Sequence, residues 1–288
     1  MCTALTYKSN DFYFGRNLDL DMEYGEKVTV IPRKFSFPIK LLPDLHEHFA
    51  LIGMAVITDG YPLFFEGTNE KGLSMAGLNF PDNAFYGKAK PDKINLAPYE
   101  LIPWLLGKCA CLCDVKEKLK ELNIVNLPFS ENYPLSPLHW IISDKSGSVT
   151  VESVAEGLRI YNNPWGVLSN NPTFDRHMIN TETFMLSDKA LPGDFSSESR
   201  FIRAACLKEK SSPKSGEDES VNQFFRMLSL VSVPQGCVRK SGGAHYTRYS
   251  SCCNTDTGVY YYNRCDSISI ERVSMRDFDL NGNKLFLP

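Results

Sequence analysis

The chain has 288 residues, 43% of them hydrophobic, and its 31 basic side chains nearly balance 34 acidic ones. That is enough apolar material for a single domain over residues 1–288 without disulfides or a structural metal. The net charge of −3 excludes the long-range field that gathers nucleic acid or an anionic membrane surface. No window approaches the roughly 20 apolar residues of a bilayer-spanning helix. The first residues lack the charged stretch and apolar run of a secretory signal, and an odd count of nine cysteines then reads as free thiols in a reducing, cytoplasmic setting.

Taken in chain order, residues 3–7, 12–20, 27–32 and 50–58 are short β-rich runs separated by turn residues, which predicts an antiparallel sheet from the start of the chain. Residues 99–108 follow Pro98 and are apolar almost all round, as in a buried helix. A second helix is expected to begin at Asp114, with its side chain capping the turn and Val115, Leu119 and Leu122 at helical spacing. Strands return at 138–144, 148–154 and 158–161. The polar stretch 208–220 predicts a mobile loop, before a helix whose stripe is Val221, Phe224, Phe225, Leu228 and Val231. Residues 246–253 and 259–264 close the chain as strands around an Asn-Thr-Asp-Thr-Gly turn. Sheets at both ends with helices between and after them predict a layered α+β fold, not a βαβ array.

The chemistry gathers at Cys2. Loss of Met1 makes it the N-terminus, placing a thiol nucleophile and an α-amine base on one carbon. An α-amine titrates near ~7.7–8.0, so it can act as a base at neutral pH, where a lysine is charged. The thiolate is the reactive form, and a nearby cation favours it. Arg16 can supply that cation, and Asp19 a carboxylate to hold the α-ammonium. Strand alternation lets these two share a side only where the strand ends or bulges. Taken singly, each is an ordinary residue; the combination carries the reading.

The segments MCTAL, FGRNLDLD, NEKGLSMAGLNFP, PLSPLHWIISDKSG, GVLSNNPTFD and LPGDFSSESRFIRA stand in order along the whole chain, and through them it resembles the choloylglycine hydrolase family. The resemblance implies the four-layer αββα sandwich of N-terminal nucleophile hydrolases. It further implies a nucleophilic Cys2 supported by Arg16 and Asp19, with Asn79 and Asn170 flanking the oxyanion and Arg200 completing the polar shell. The family cleaves conjugated bile salts or penicillin V, and asparagine at position 79 favours the bile salts. By the same resemblance, Met22, Ile57, Phe64 and Phe129 would line the substrate pocket. No cofactor or metal is implied. Penicillin V or acyl-homoserine lactone acylases are rival enzymes with the same machinery; a catalytically silent ligand-binding protein is a rival of another class.

Other signals point to structure. Cys109, Cys111 and Cys113 lack the two-to-four-residue spacing of structural zinc and are expected as buried thiols. A bridge between Cys252 and Cys253 would be strained within a strand. His46 and His48 suit the surface and His139 the core. No histidine is placed for a papain-like Cys–His pair. The chain departs from the family between Asp175 and Arg200, where only residues 176–199 stand in place of a longer segment with a hairpin that helps build the family's tetramer. A dimer or a weakened tetramer is therefore expected.

Overall fold

Alternating side chains on extended segments set the architecture. In the computed structural model, which describes residues 1–240 and 243–288, the chain opens with β1 (Cys2–Lys8), β2 (Phe12–Leu20), β3 (Lys27–Ile31), β4 (Leu51–Thr58), β5 (Tyr61–Asn69) and β6 (Ser74–Asn79). A short β7 (Ile94–Leu96) leads to α1 (Leu101–Lys108) and α2 (Leu112–Glu121), then β8 (Leu122–Ile124), β9 (Leu138–Asp144), β10 (Gly147–Val154), β11 (Gly157–Asn162) and β12 (Val167–Leu168). Three helices follow, α3 (Phe174–Met185), α4 (Ser197–Lys210) and α5 (Glu217–Ser229). The chain ends in β13 (Val238–Lys240), β14 (Gly243–Asn254), β15 (Val259–Arg264) and β16 (Glu271–Ser274).

Two seven-stranded sheets result. One runs β12-β1-β2-β14-β15-β16 with β13 beside β14, the other β11-β10-β9-β6-β5-β4-β3. In β4, Ile52 and Met54 join the core between the sheets, while Leu51 and Ala55 turn to the core beneath α1 and α2; Ile141 and Ile142 of β9 divide the same way. The inter-sheet core continues to α3, α4 and α5 through Phe174, Phe201 and Phe224. The layers are thus helices, sheet, sheet, helices, the expected αββα sandwich. Gly15 lets β2 and β14 close up, since a β-carbon there would lie 1.9 Å from the Ser251 carbonyl oxygen. Among the described residues no helix is long and apolar enough to cross a membrane.

Several expectations need correction. Residues 208–210 finish α4 and 217–220 begin α5, so only 211–216 remain as connection; acidic residues in the first turn of α5 made helix look like loop. The helices α3 and α4 replace a stretch read only for its motifs. Asp114 is the third residue of α2, not its cap, and reaches back to accept the N–H groups of Ala110 at 2.8 Å and Cys111 at 3.3 Å. Cys111 and Cys113 form a disulfide across the α2 N-terminus, where their Cα atoms lie 5.3 Å apart, within bridging range. Of that trio only Cys109 is a buried thiol. His48 is buried rather than on the surface, because both its ring nitrogens meet backbone carbonyls, those of Phe49 and Phe35.

Candidate active site

Cys2 opens β1, pairs with Leu18 across β2 and is 2% exposed. Ala4 pairs with Arg16, so alternation turns the Cys2 side chain and Arg16 to the same, inter-sheet face. Arg16 crosses to the second sheet, donating from Nη1 to the carbonyls of Gly77 at 2.6 Å and Phe65 at 3.1 Å. Asp19 follows Asn17 to the opposite face, where its Oδ1 accepts from Thr247 Oγ1 at 2.6 Å. Arg16 and Asp19 thus do not share a side of β2, as regular alternation dictates; the register irregularity lies in the partner strand, where β14 bulges at Arg248 opposite Leu18 and Asp19. Arg16 and Asp19 therefore flank Cys2 from two sides.

The remaining polar residues converge on the Cys2 backbone. Asn170 Oδ1 accepts from Cys2 N at 2.7 Å and from Arg200 Nη2 at 2.8 Å. Both contacts come from donors, which fixes the orientation of the amide. Asn170 Nδ2 donates one proton to the carbonyl oxygen of Asn79 at 2.7 Å and keeps a second N–H. Arg200, on α4, donates from Nη1 to the Cys2 carbonyl and to Thr3 Oγ1. Met1 donates its ammonium to the Asp19 carbonyl at 2.8 Å, and Asp19 N donates back to Met1 at 3.0 Å. Arg16, Asp19, Asn170 and Arg200 thus gather around Cys2, and Asn79 joins them through its backbone carbonyl, which accepts from Asn170.

Burial sets the electrostatics. It pushes the Asp19 carboxyl up, against the pull of Arg200, the terminal ammonium, Thr247 and Arg16. It likewise draws the Arg200 guanidinium down, with Asp19 and Cys2 resisting. For Arg16, burial works against the cation, but Cys2, Tyr249, Glu66 and Asp19 outweigh it and hold its pKa up. Arg16 Nη2 and Asp19 Oδ2 are among the buried atoms of the described residues that have no hydrogen-bond partner. One is a spare donor and the other a spare acceptor.

Sequence reasoning missed several supports. Glu66 is wholly buried near Arg16, accepting from Tyr249 and Tyr260 at 2.6 Å each and from Ser251 at 3.2 Å. Ser197 Oγ holds Asn170 N at 2.7 Å. Alternation in β5 and the serine run before Arg200 were the only available signals.

A cavity of about 530 Å³ opens at the site, lined by Met1, Asn79, Asp82, Asn170, Phe195 and Arg200 among others. None of the four expected pocket residues lines it. Met22 is 52% exposed, and Phe64 lies in the core beneath α1 and α2 with Ile57 packed against that core. Phe129 sits in an aromatic cluster with Tyr61, Tyr99 and Tyr133.

A family model described as linear amide C–N hydrolases, choloylglycine hydrolase family, matches residues 2–287. The chain is 44% identical to the bile salt hydrolase/transferase of Lactiplantibacillus plantarum, over 99% of this chain and 95% of that one. It is 36% identical to the conjugated bile acid hydrolase of Lactobacillus gasseri, over 99% of each. The first alignment spans 309 positions against 288 residues, so it opens at least 21 positions of gap in this chain. Among solved structures, the C2A mutant of the conjugated bile acid hydrolase from Clostridium perfringens superposes with a TM-score of 0.92 at 35% identity, covering 100% of this chain and 96% of that one. Penicillin V acylase from Agrobacterium tumefaciens shares the fold, with a TM-score of 0.84 at 20% identity over 99% of this chain and 90% of that one.

Proposed function

The chain belongs to the choloylglycine hydrolase family of linear amide C–N hydrolases, and on that premise we propose that it hydrolyses the amide bond of glycine- or taurine-conjugated bile acids with Cys2 as nucleophile. Full-length identity to relatives named for bile salts supports the substrate class. The observation that carries the mechanism is the pair of orphaned atoms beside Cys2. Removal of Met1 turns Cys2 N into an α-amine whose N–H Asn170 Oδ1 already accepts, and Asp19 Oδ2 can accept from the ammonium formed when that amine takes up a proton. Arg16 Nη2 is a donor for a thiolate or for the substrate carbonyl.

In this reading Cys2 Sγ attacks the amide carbon while its proton passes to the α-amine. The oxyanion takes the spare Asn170 N–H, aided by Asn79. Collapse breaks the C–N bond, the leaving amine takes the proton from the α-ammonium, and a thioester remains on Cys2. Water, deprotonated by the same α-amine, then releases the steroid acid. Seven of the nine cysteines are free thiols, which suits a cytoplasmic location.

Turnover of taurocholate, glycocholate and penicillin V, measured side by side on protein whose intact mass shows Met1 lost, tests this. Faster hydrolysis of the bile salts is expected; penicillin V as the better substrate, or activity with Met1 retained, overturns it. A second reading follows from relatives named hydrolase/transferase: an amine can replace water at the thioester. Excess glycine with an ester or amide donor should then give new glycine conjugate by mass spectrometry, and free acid alone would leave hydrolysis as the sole outcome.

A further inference from the structure

Two buried histidines stand behind the site without touching the reacting residue. His139 on β9 is 0% exposed and His177 on α3 is 1% exposed. His139 Nε2 lies 2.8 Å from the Ser169 carbonyl oxygen, and His177 Nε2 lies 2.8 Å from that of Asn170. A carbonyl only accepts, so each Nε2 carries a proton and donates. The two rings also stack, His139 on Phe80 at 4.2 Å and His177 on Phe201 at 4.5 Å, each within 10° of parallel. Phe80 follows Asn79 and Phe201 follows Arg200. Each histidine therefore links a carbonyl of the Asn170 segment to the neighbour of another site residue.

We propose that His139 and His177 are positioning residues, a clamp on two consecutive carbonyls that holds Asn170 in register with Cys2, Asn79 and Arg200. The segment needs such a clamp because β12 ends at Leu168. Residues 169–172 thus leave the ladder just where Asn170 must be held, and buried carbonyls there require donors. Ser197 secures the Asn170 N–H; the histidines secure the two carbonyls. Behind them, Glu152 Oε1 lies 3.2 Å from His139 Nδ1 and accepts the N–H of Phe174 at 2.9 Å, tying the clamp to the start of α3. Burial holds His177 down at about 4, so near neutral pH it is an uncharged ring with its one proton on Nε2.

This inference rests on the reading of Cys2 as nucleophile. The test contrasts His177→Phe, which keeps a ring to stack on Phe201 but has no donor, with His177→Gln, whose amide nitrogen can replace Nε2. His177→Phe should lower kcat for glycocholate at least about 10-fold with KM little changed, and His177→Gln should recover most of it. A purely structural histidine predicts the reverse order, because stacking would then matter more than the donor. Should His177→Phe fail to fold, His177→Met against His177→Gln gives the same contrast. Equal loss in donor-bearing and donor-less variants, or no loss in either, overturns the clamp. Alkylation of Cys2 by iodoacetamide is a second readout, expected to slow in the donor-less variant and recover in His177→Gln. Because it needs no bile salt, it still decides the clamp if the wild type proves inactive on conjugates and the proposed function fails.

Discussion

At Cys2, a short side chain ending in one thiol faces Arg16 while its backbone is gripped by Asn170 and Arg200, so chemistry and anchoring are separable. Cys2→Ala should abolish turnover and keep the fold; residual activity above a few per cent would place the nucleophile elsewhere. Cys2→Ser should also be severely impaired, since a weak amine base forms an alkoxide far less readily than a thiolate. Asn170→Ala should lower kcat by about 10²–10³ through loss of an oxyanion donor, whereas a change confined to KM would assign it to substrate binding. His177 gives a pH prediction. Its ring sits at about 4 in the folded chain against ~6.5 unfolded. Between those values the unfolded chain binds a proton that the folded chain refuses. The residue therefore costs nothing above about pH 6.5 and destabilises increasingly as pH falls to about 4, by about 3 kcal/mol. Denaturant melts of wild type and His177→Gln between about pH 7 and 4 should show the steeper fall in wild type; parallel curves would refute the assignment.

Among the elements, α2 illustrates capping from within. Asp114 satisfies two N–H groups ahead of the helix, and Asp144 at the end of β9 accepts the N–H of Leu112 at 2.7 Å. Asp114→Ala should cost about 0.5–2 kcal/mol of stability, the range for a lost N-terminal cap. Because α2 packs on the second sheet's outer core and not on the layer bearing Cys2, kcat should not change. Thermal melts with steady-state rates on the same samples check both halves, and a fall in kcat at unchanged fold would mean that α2 communicates with the site.

For the whole molecule, the shortened stretch between Asp175 and Arg200 becomes α3 and an eleven-residue connection, residues 186–196, in which Leu186 is 92% exposed. On the proposal that the lost part carried subunit contacts, less area is buried on assembly, and the oligomer should dissociate on dilution to a dimer. Light scattering from micromolar to nanomolar concentration reads this directly; a tetramer persisting at nanomolar concentration would show the segment to be dispensable.

What the sequence by itself determined is local and linear. β-rich runs located β1, β2 and β15 almost to the residue and most of β14, while β13 and β16 went unread, and ordered motifs pointed to the αββα sandwich and to Cys2 with the five polar residues near it. Where position depends on partners distant in the chain, only the tertiary structure decided. Alternation alone puts Arg16 and Asp19 on opposite faces of β2, but that both bear on Cys2 depends on β1 pairing beside β2 and on Thr247 of β14, 228 residues away in sequence, holding the Asp19 carboxylate. Amphipathic α3 and α4 carry enough polar residues to resemble loops until α3 buries His177 and α4 buries Arg200. Burial of His139 was legible in its strand, but the partners of Glu66, His139 and His177 were not, because a buried charge or donor is defined by the groups around it, and those come together only when the two sheets and the helices pack.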